Sequence, residues 1–278
     1  MYRSNMASSR QFVVNTAQYF RPKPPSLKIR EEICRGAYGS VHFGELDGRP
    51  VAVKRIHRLL LEAARGQGDF EQVMTDFKQE CQLLEKIDHP HVVDFRGAFY
   101  DETTDEPLLV MERMRENLRE FLERHRNDLS QQRQLLICLE IARGLRFLHT
   151  HTPPIVHRDL TDKNVMLGKD GLVKIGDLGQ SRLKANNAEY FNTAQPGAIS
   201  FMPPEAMQEQ SRYNEKLDIF SLGVLMLEVA TQQPPRVRLV GIGTVKEIVR
   251  RREDLSKLEE NHPLKPLILS CLEDDPKQ

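Results

Sequence analysis

From Leu27 to Val110 the apolar positions alternate with polar ones over short runs: "LKIREEICRGAYGSVHFGEL", "PVAVKRI", "HVVDFRGAFY" and "PLLVMER". Turn-forming segments such as "LDGRP" and "DETTDEP" stand between them, so the pattern predicts a set of β-strands. One stretch breaks the alternation. In "DFKQECQLLEKI", Phe77, Cys81, Leu84 and Ile87 recur every three or four residues, which predicts a single amphipathic helix stopping near "DHPH". The insert before it, "HRLLLEAARGQGDFEQVM", has no period that assigns it to helix or strand. After Met114 the period becomes helical, with Leu118, Phe121 and Leu122 on one helix and Leu135, Cys138, Ile141, Leu145 and Leu148 on the next. The longest apolar run, in "DIFSLGVLMLEVAT" (Asp218 to Thr231), is interrupted by Glu228 and too short to span a bilayer, so it predicts a buried core helix. The expectation is a small β-rich unit followed by a larger helical one, without internal repeats.

Composition narrows the function classes. The 278 residues are 39% apolar and 29% charged, an ordinary globular balance with enough apolar residues for a core. Forty Lys plus Arg against forty Asp plus Glu leave no global field toward nucleic acid or an anionic membrane, so partners are recognised locally. Cys34, Cys81, Cys138 and Cys271 are widely spaced with no C-x-x-C pair, which argues against a zinc site or a secreted disulfide framework and for a reducing, cytoplasmic compartment. Residues 1–26 carry Arg3, Arg10, Arg21 and Lys23 and no acid; they faintly resemble a mitochondrial transit peptide, and the simpler expectation is a flexible leader ending in "RPKPPS".

Several short segments carry chemistry. "CRGAYGSV" puts Gly36 and Gly39 in a strand-turn-strand where backbone N–H groups can approach phosphate oxygens, though two glycines in a hairpin also make a simple turn. In "VAVK", Ala52 and Lys54 share one strand face, and a lysine among apolar neighbours is costly unless it meets an anion. Glu80, on the helix that follows, is a candidate partner that would hold the Lys54 ammonium at a nucleotide's phosphates. "VHRDLTDKN" is more specific. Asp159 can orient an attacking hydroxyl and accept its proton, and the amide oxygen of Asn164 can ligate a divalent metal from the same loop. "KIGDLG" then adds Asp177, a second oxygen donor suited to magnesium.

These segments, in this order, resemble the protein kinase domain over about residues 27–278. The resemblance implies an α+β, two-lobed fold: a small antiparallel β-rich N-lobe with one main helix (27–111), then a hinge and a larger, mainly helical C-lobe (112–278). It implies ATP and Mg²⁺ as cofactors and a protein substrate. By resemblance, Gly36, Gly39 and Val41 cover ATP, Val41 and Ala52 line adenine, and Lys54 with Glu80 forms the phosphate-positioning pair. Met111 is similar to the gatekeeper, Glu112 and Met114 to the hinge, and Met166 to the floor beneath the ring. Asp159 resembles the catalytic base, Asn164 and Asp177 the magnesium ligands, "MPPE" (Met202 to Glu205) the end of the activation segment, and Asp218 the aspartate that braces the catalytic loop.

The departures from the pattern set the remaining alternatives. Cys34 occupies the first glycine position of the loop, and Leu178 stands where the magnesium motif usually has Phe. Thr161 and Ala198 miss the Ser/Thr signature, while Lys163 fits part of the Tyr signature and "GAISF" does not. Mixed loops of this kind resemble the tyrosine-kinase-like branch, which favours Ser/Thr specificity over dual or Tyr specificity. A pseudokinase scaffold is the alternative from another class. An upstream activating kinase is a further expected partner, acting on Thr193 or, second, Tyr190, with Arg158 receiving the phosphate; Ser181 and Ser200 are the other acceptors, and unmodified hydroxyls the alternative. The chain ends at "CLEDDPKQ", short of the arginine that pairs in the family with the position of Glu205, so the C-terminal end reads as incomplete.

Overall fold

Alternating runs separated by tight turns can satisfy their backbone groups only by pairing, and they pair here. The computed structural model describes residues 19–35, 39–56, 70–180, 182–183, 199–203, 206, 214–235 and 255–273. The chain forms two units: residues up to Asp88 with Val93–Met114, and His89–Val92 with the residues from Arg115 onward.

The first unit holds β1 (Arg21–Pro22), β2 (Lys28–Arg35), β3 (Gly39–Leu46), β4 (Arg49–Ile56), α1 (Phe70–Leu84), β5 (Phe95–Asp101) and β6 (Glu106–Glu112). Its strands make one sheet in the order β1-β5-β6-β4-β3-β2, antiparallel except where β1 meets β5. Helix α1 begins inside the stretch that has no readable period. Leu46 faces Arg49 across β3 and β4, leaving Asp47 and Gly48 as a two-residue loop with φ of 50° and 76°. Such a turn needs positive φ at both positions, which Asp-Gly supplies and which matches the twist of the strands.

Val51 and Val53 of β4 are buried with Leu108, Val110 and Leu27 in the core of this unit. Burial of each such side chain stabilises the fold by roughly 1.5–3 kcal/mol. The opposite face of β4 is set by register: Val41 lies across from Lys54, Phe43 from Ala52, and Ala52 from Met111. Cross-strand partners share a face, so Val41, Ala52, Lys54 and Met111 form one surface. Gly39 is needed at the end of β3 for close approach, because a Cβ there would collide with the carbonyl oxygen of Arg55. Gly39→Ala is expected to cost about 1–3 kcal/mol of stability. The check is the denaturant midpoint, and an unchanged midpoint would mean the strands separate without penalty.

The second unit contains β7 (Glu116–Asn117), α2 (Leu118–Arg124), α3 (Gln131–Thr150), β8 (Ile155–Val156), β9 (Val165–Leu167), β10 (Val173–Ile175), β11 (Arg182–Leu183), α4 (Lys216–Thr231) and α5 (Lys265–Cys271). Strands β10, β9 and β7 pair in that order, and β11 pairs with β8. Asn117 starts α2 with a capping box: its side chain accepts from Glu120 N at 2.9 Å and Glu120 accepts from Asn117 N at 3.1 Å. Ser130 caps α3 by accepting from Arg133 N.

The stripe expected on α3 needs one correction. Cys138, Ile141, Leu145 and Leu148 are buried, but Leu135 is 37% exposed, and Gln134 and Ile137 are buried instead. One helical turn back from Cys138, about 3.6 residues, falls nearer 134 than 135. The Gln134 amide is accommodated by donating to Leu129 O at 3.0 Å. Helix α4 is apolar almost all round and buried from Leu217 to Val229 except at the half-buried Ile219, as a core helix must be. Among the described residues, no helix is long and apolar enough to cross a membrane.

Candidate active site

In the first unit, the alternation of β4 turns Lys54 away from the core formed by Val51 and Val53. Its ammonium donates to both carboxylate oxygens of Glu80 on α1, at 2.8 and 3.1 Å. The Glu80 side chain is only 5% exposed, so the pair lies where water screens it weakly. At the end of β6, Glu112 N donates to Asp94 O at 3.0 Å and Glu112 Oε1 accepts from Asp94 N at 2.7 Å. This double bond pattern fixes the strand where it runs into Met114. Gly39 and Val41 follow each other along β3; Gly36 lies outside the described residues.

In the second unit, β8 delivers the chain to His157, Arg158 and Asp159. Asp218 of α4, fully buried, accepts from His157 N, Arg158 N and His149 Nε2, each at 2.8 Å. Three donors on one carboxylate hold this turn, which places Arg158 at φ 71°. His157 Nε2–H donates to Gly176 O at 3.0 Å, and Asp159 N donates to His157 Nδ1 at 3.3 Å. Asn164 Nδ2 donates to Asp159 O at 2.8 Å and to Asp159 Oδ2 at 3.0 Å. Acid and amide are thus joined within one loop.

The hairpin β9–β10 then brings in the second acid. Val165 lies across from Ile175, and Gly176 N donates to Asn164 O at 2.8 Å, so Asp177 follows one residue after the partner of Asn164. Asp177 has φ 53° and accepts from Gly179 N at 3.3 Å. Met166 is half-buried in β9, across from Lys174 and Asn117. Leu178 is 1% exposed, while Cys34 is exposed on β2. Ser181, Tyr190, Thr193, Ala198 and Glu205 lie outside the described residues.

Several supporting residues escaped the sequence reading. His91 Nδ1–H donates to Val173 O at 3.0 Å, its carbonyl accepts from Ile175 N at 2.9 Å, and Glu140 accepts from Val173 N at 3.0 Å. Together they hold β10, and hence the approach to Asp177. The histidine pair in "DHPH" was legible only as a helix stop.

Glu228 also escaped, although an acid interrupting an apolar helix is itself a signal. Burial, and then the neighbouring Asp162 carboxylate, push its pKa up to about 9, with Arg119 acting in the opposite direction. Arg119 Nε lies 2.7 Å from Asp162 Oδ2. Between the usual 4.5 and about 9 the folded chain therefore holds a proton that the unfolded chain has lost. Stability falls as pH rises through that window, by up to about 1.4 kcal/mol per pH unit. Glu228→Gln is expected to melt at a higher temperature than wild type at pH 8 and nearly equally at pH 4. Parallel melting curves at both pH values would contradict the buried proton.

With this geometry in place, the comparisons with known proteins are informative. The chain is 36% identical over 214 residues to serine/threonine-protein kinase CTR1 of Arabidopsis thaliana, covering 75% of this chain and 24% of the relative. It is 31% identical over 213 residues to serine/threonine-protein kinase TNNI3K of Mus musculus (77% and 25%), and 34% identical over 226 residues to dual specificity protein kinase splA of Dictyostelium discoideum (76% and 9%). The chain thus spans about a quarter or less of the length of these curated relatives. The family described as protein tyrosine and serine/threonine kinase matches residues 27–278. A β-rich unit with one ion-paired helix, a helical unit with a braced His-Arg-Asp turn, and a match over nearly the whole chain have one common explanation: the chain belongs to the protein kinase family.

Proposed function

We propose that this chain is an ATP- and Mg²⁺-dependent protein kinase that transfers the γ-phosphoryl group to Ser or Thr hydroxyls of protein substrates. The observation that carries the reading is the joined set of Asp159, Asn164 and Asp177, an acid, an amide and a second acid gathered by one loop and one hairpin. Asn164 turns its nitrogen to Asp159, which leaves its oxygen as the atom to offer a metal. An all-oxygen pair, Asn164 and Asp177, suits magnesium, which keeps most of its coordination for water and phosphate. The ion, when bound, neutralises phosphate charge.

In this reading Asp159 orients the substrate hydroxyl and takes its proton. Lys54, held by Glu80, offers its ammonium to the phosphates, and such positioning carries most of the catalysis in phosphoryl transfer. Gly36, Gly39, Val41, Ala52, Met111 and Met166 would line the nucleotide, with the backbone of Glu112 and Met114 meeting adenine. A phosphate added by an upstream kinase at Thr193 or Tyr190 would pair with Arg158. The four cysteines, none in a disulfide, support a reducing, cytoplasmic setting.

Dual specificity is the second reading. It is favoured by the exposed Lys163 and by the likeness to splA, a dual specificity protein kinase. The experiment is transfer from labelled ATP to peptides bearing Ser, Thr or Tyr. Label on Ser or Thr alone supports the first reading and label on all three the second. Nucleotide binding without any transfer would make the chain a scaffold.

A further inference from the structure

Residues 19–26, expected from sequence to close a flexible leader, are packed within the first unit, as is Leu27. Phe20 is 1% exposed, and its ring lies 5.9 Å from that of Phe77 on α1. Tyr19 meets Phe20 edge-on at 5.0 Å, donates from its hydroxyl to Glu85 at 3.4 Å and lies under Lys78 Nζ, 5.3 Å from the ring. Arg21 and Pro22 run beside Phe99 and Tyr100 of β5, and Lys23 N donates to Tyr100 O at 2.8 Å. The Lys23 ammonium pairs with the buried Asp101 at 3.0 Å, and Leu27 enters the core.

The spacing on α1 gives these contacts a consequence. Phe77 and Cys81 stand four residues apart on α1, Lys78 adjoins Phe77, and Glu85 follows four residues after Cys81, just past the helix end, so Tyr19 and Phe20 cover one face of α1 and its C-terminal exit. Glu80, which meets Lys54, is adjacent to Cys81 and one turn on from Phe77. Side-chain ends lie about 5–6 Å from a helix axis, so a rotation of about 15° moves one by about 1.5 Å. That is enough to break the 2.8 Å contact between Lys54 and Glu80.

We infer that residues 19–27 act as a strap that fixes the rotation of α1, which makes Phe20 a positioning residue for phosphoryl transfer through Glu80. The inference rests on the kinase reading above for its catalytic consequence, but not for its structural one.

The test uses the whole chain with Phe20→Ala, Phe20→Leu, Glu80→Ala and the Phe20→Ala/Glu80→Ala double variant, each confirmed folded at the assay temperature by circular dichroism. Phe20→Ala is expected to lower kcat per folded molecule about tenfold, within the usual range of coupling between sites. Phe20→Leu should regain most of that loss. In the Glu80→Ala background Phe20→Ala should add no further loss of kcat, a non-additivity that plain destabilisation does not produce. Hydrogen exchange of α1 amides should speed up in folded Phe20→Ala while α3 amides keep their rates. An unchanged kcat in Phe20→Ala, additive losses in the double variant, or unaltered exchange in α1 would each overturn the strap. If the wild-type chain transfers no phosphate the kinase reading fails, and the exchange result alone then decides whether the strap holds α1. Should Phe20→Ala not fold, Tyr19→Ala, which removes the ring against Phe20 and the hydroxyl that donates to Glu85, carries the same comparison.

Discussion

Asp177→Ala is expected to bring phosphoryl transfer down to background while leaving the fold intact. Asp177 is exposed at the end of the β9–β10 hairpin, and its backbone is carried there by bonds that involve its neighbours: Gly176 N to Asn164 O and Ile175 N to His91 O. Removing the carboxylate therefore leaves β10 in place. What disappears is half of the oxygen pair proposed for magnesium and, with it, the neutralisation of phosphate charge that dominates this chemistry. The loss should fall mainly on kcat and exceed the 10²–10⁴-fold range typical of removing one general base. The measurement is single-turnover transfer at saturating ATP and Mg²⁺, with circular dichroism as the folding control. Residual transfer above about one per cent would move the metal role elsewhere.

Asp218→Ala is expected to damage stability and catalysis together. The wild-type carboxylate is fully buried and receives three donors, two from the backbone of the His157–Arg158 turn. Alanine would strand buried N–H groups at about 1–3 kcal/mol each. It would also release Arg158 from its left-handed conformation, which a non-glycine residue keeps only when its surroundings enforce it. Asp159 follows directly, so its aim should loosen as well. The expected result is a lower melting temperature and a kcat that stays depressed in the folded fraction at low temperature. Recovery of full kcat on cooling would show that Asp218 serves stability alone.

Some of this was legible in the chain because the chemistry dictates residue types at short, fixed spacings. Asp159 and Asn164 sit five positions apart in one loop, and Asp47-Gly48 announces its own turn. Lys54 was legible from strand alternation, and Asp218 only through resemblance, since nothing local shows that a helical aspartate will meet a turn some sixty residues earlier. His91, Glu140 and the Arg119–Asp162–Glu228 group were not read, because their roles come from long-range contacts with no sequence period. The tail of the supposed leader was misjudged for a related reason. Its prolines and basic residues look like linker composition, yet Phe20 is buried, with the rings of Tyr19 and Phe77 against it. On α3, Leu135 was misplaced because a stripe read from its later residues drifts when extended backward.

The way the backbone is shared between the two units bears on whether either could be moved as a module. His89–Val92 belongs with the residues after Arg115, although it lies inside the segment that otherwise builds the first unit. A cut at Met114 would hand those four positions to the wrong fragment. The downstream piece would then lack His91, whose ring and carbonyl bond Val173 and Ile175, and Val92, which bridges to Ile175. Exchange at a single junction with a related gene would carry the same mismatch, because β10 would meet a tetrapeptide selected beside another partner. A fragment that keeps β10 in its own setting therefore has to carry residues 89–92 along with it.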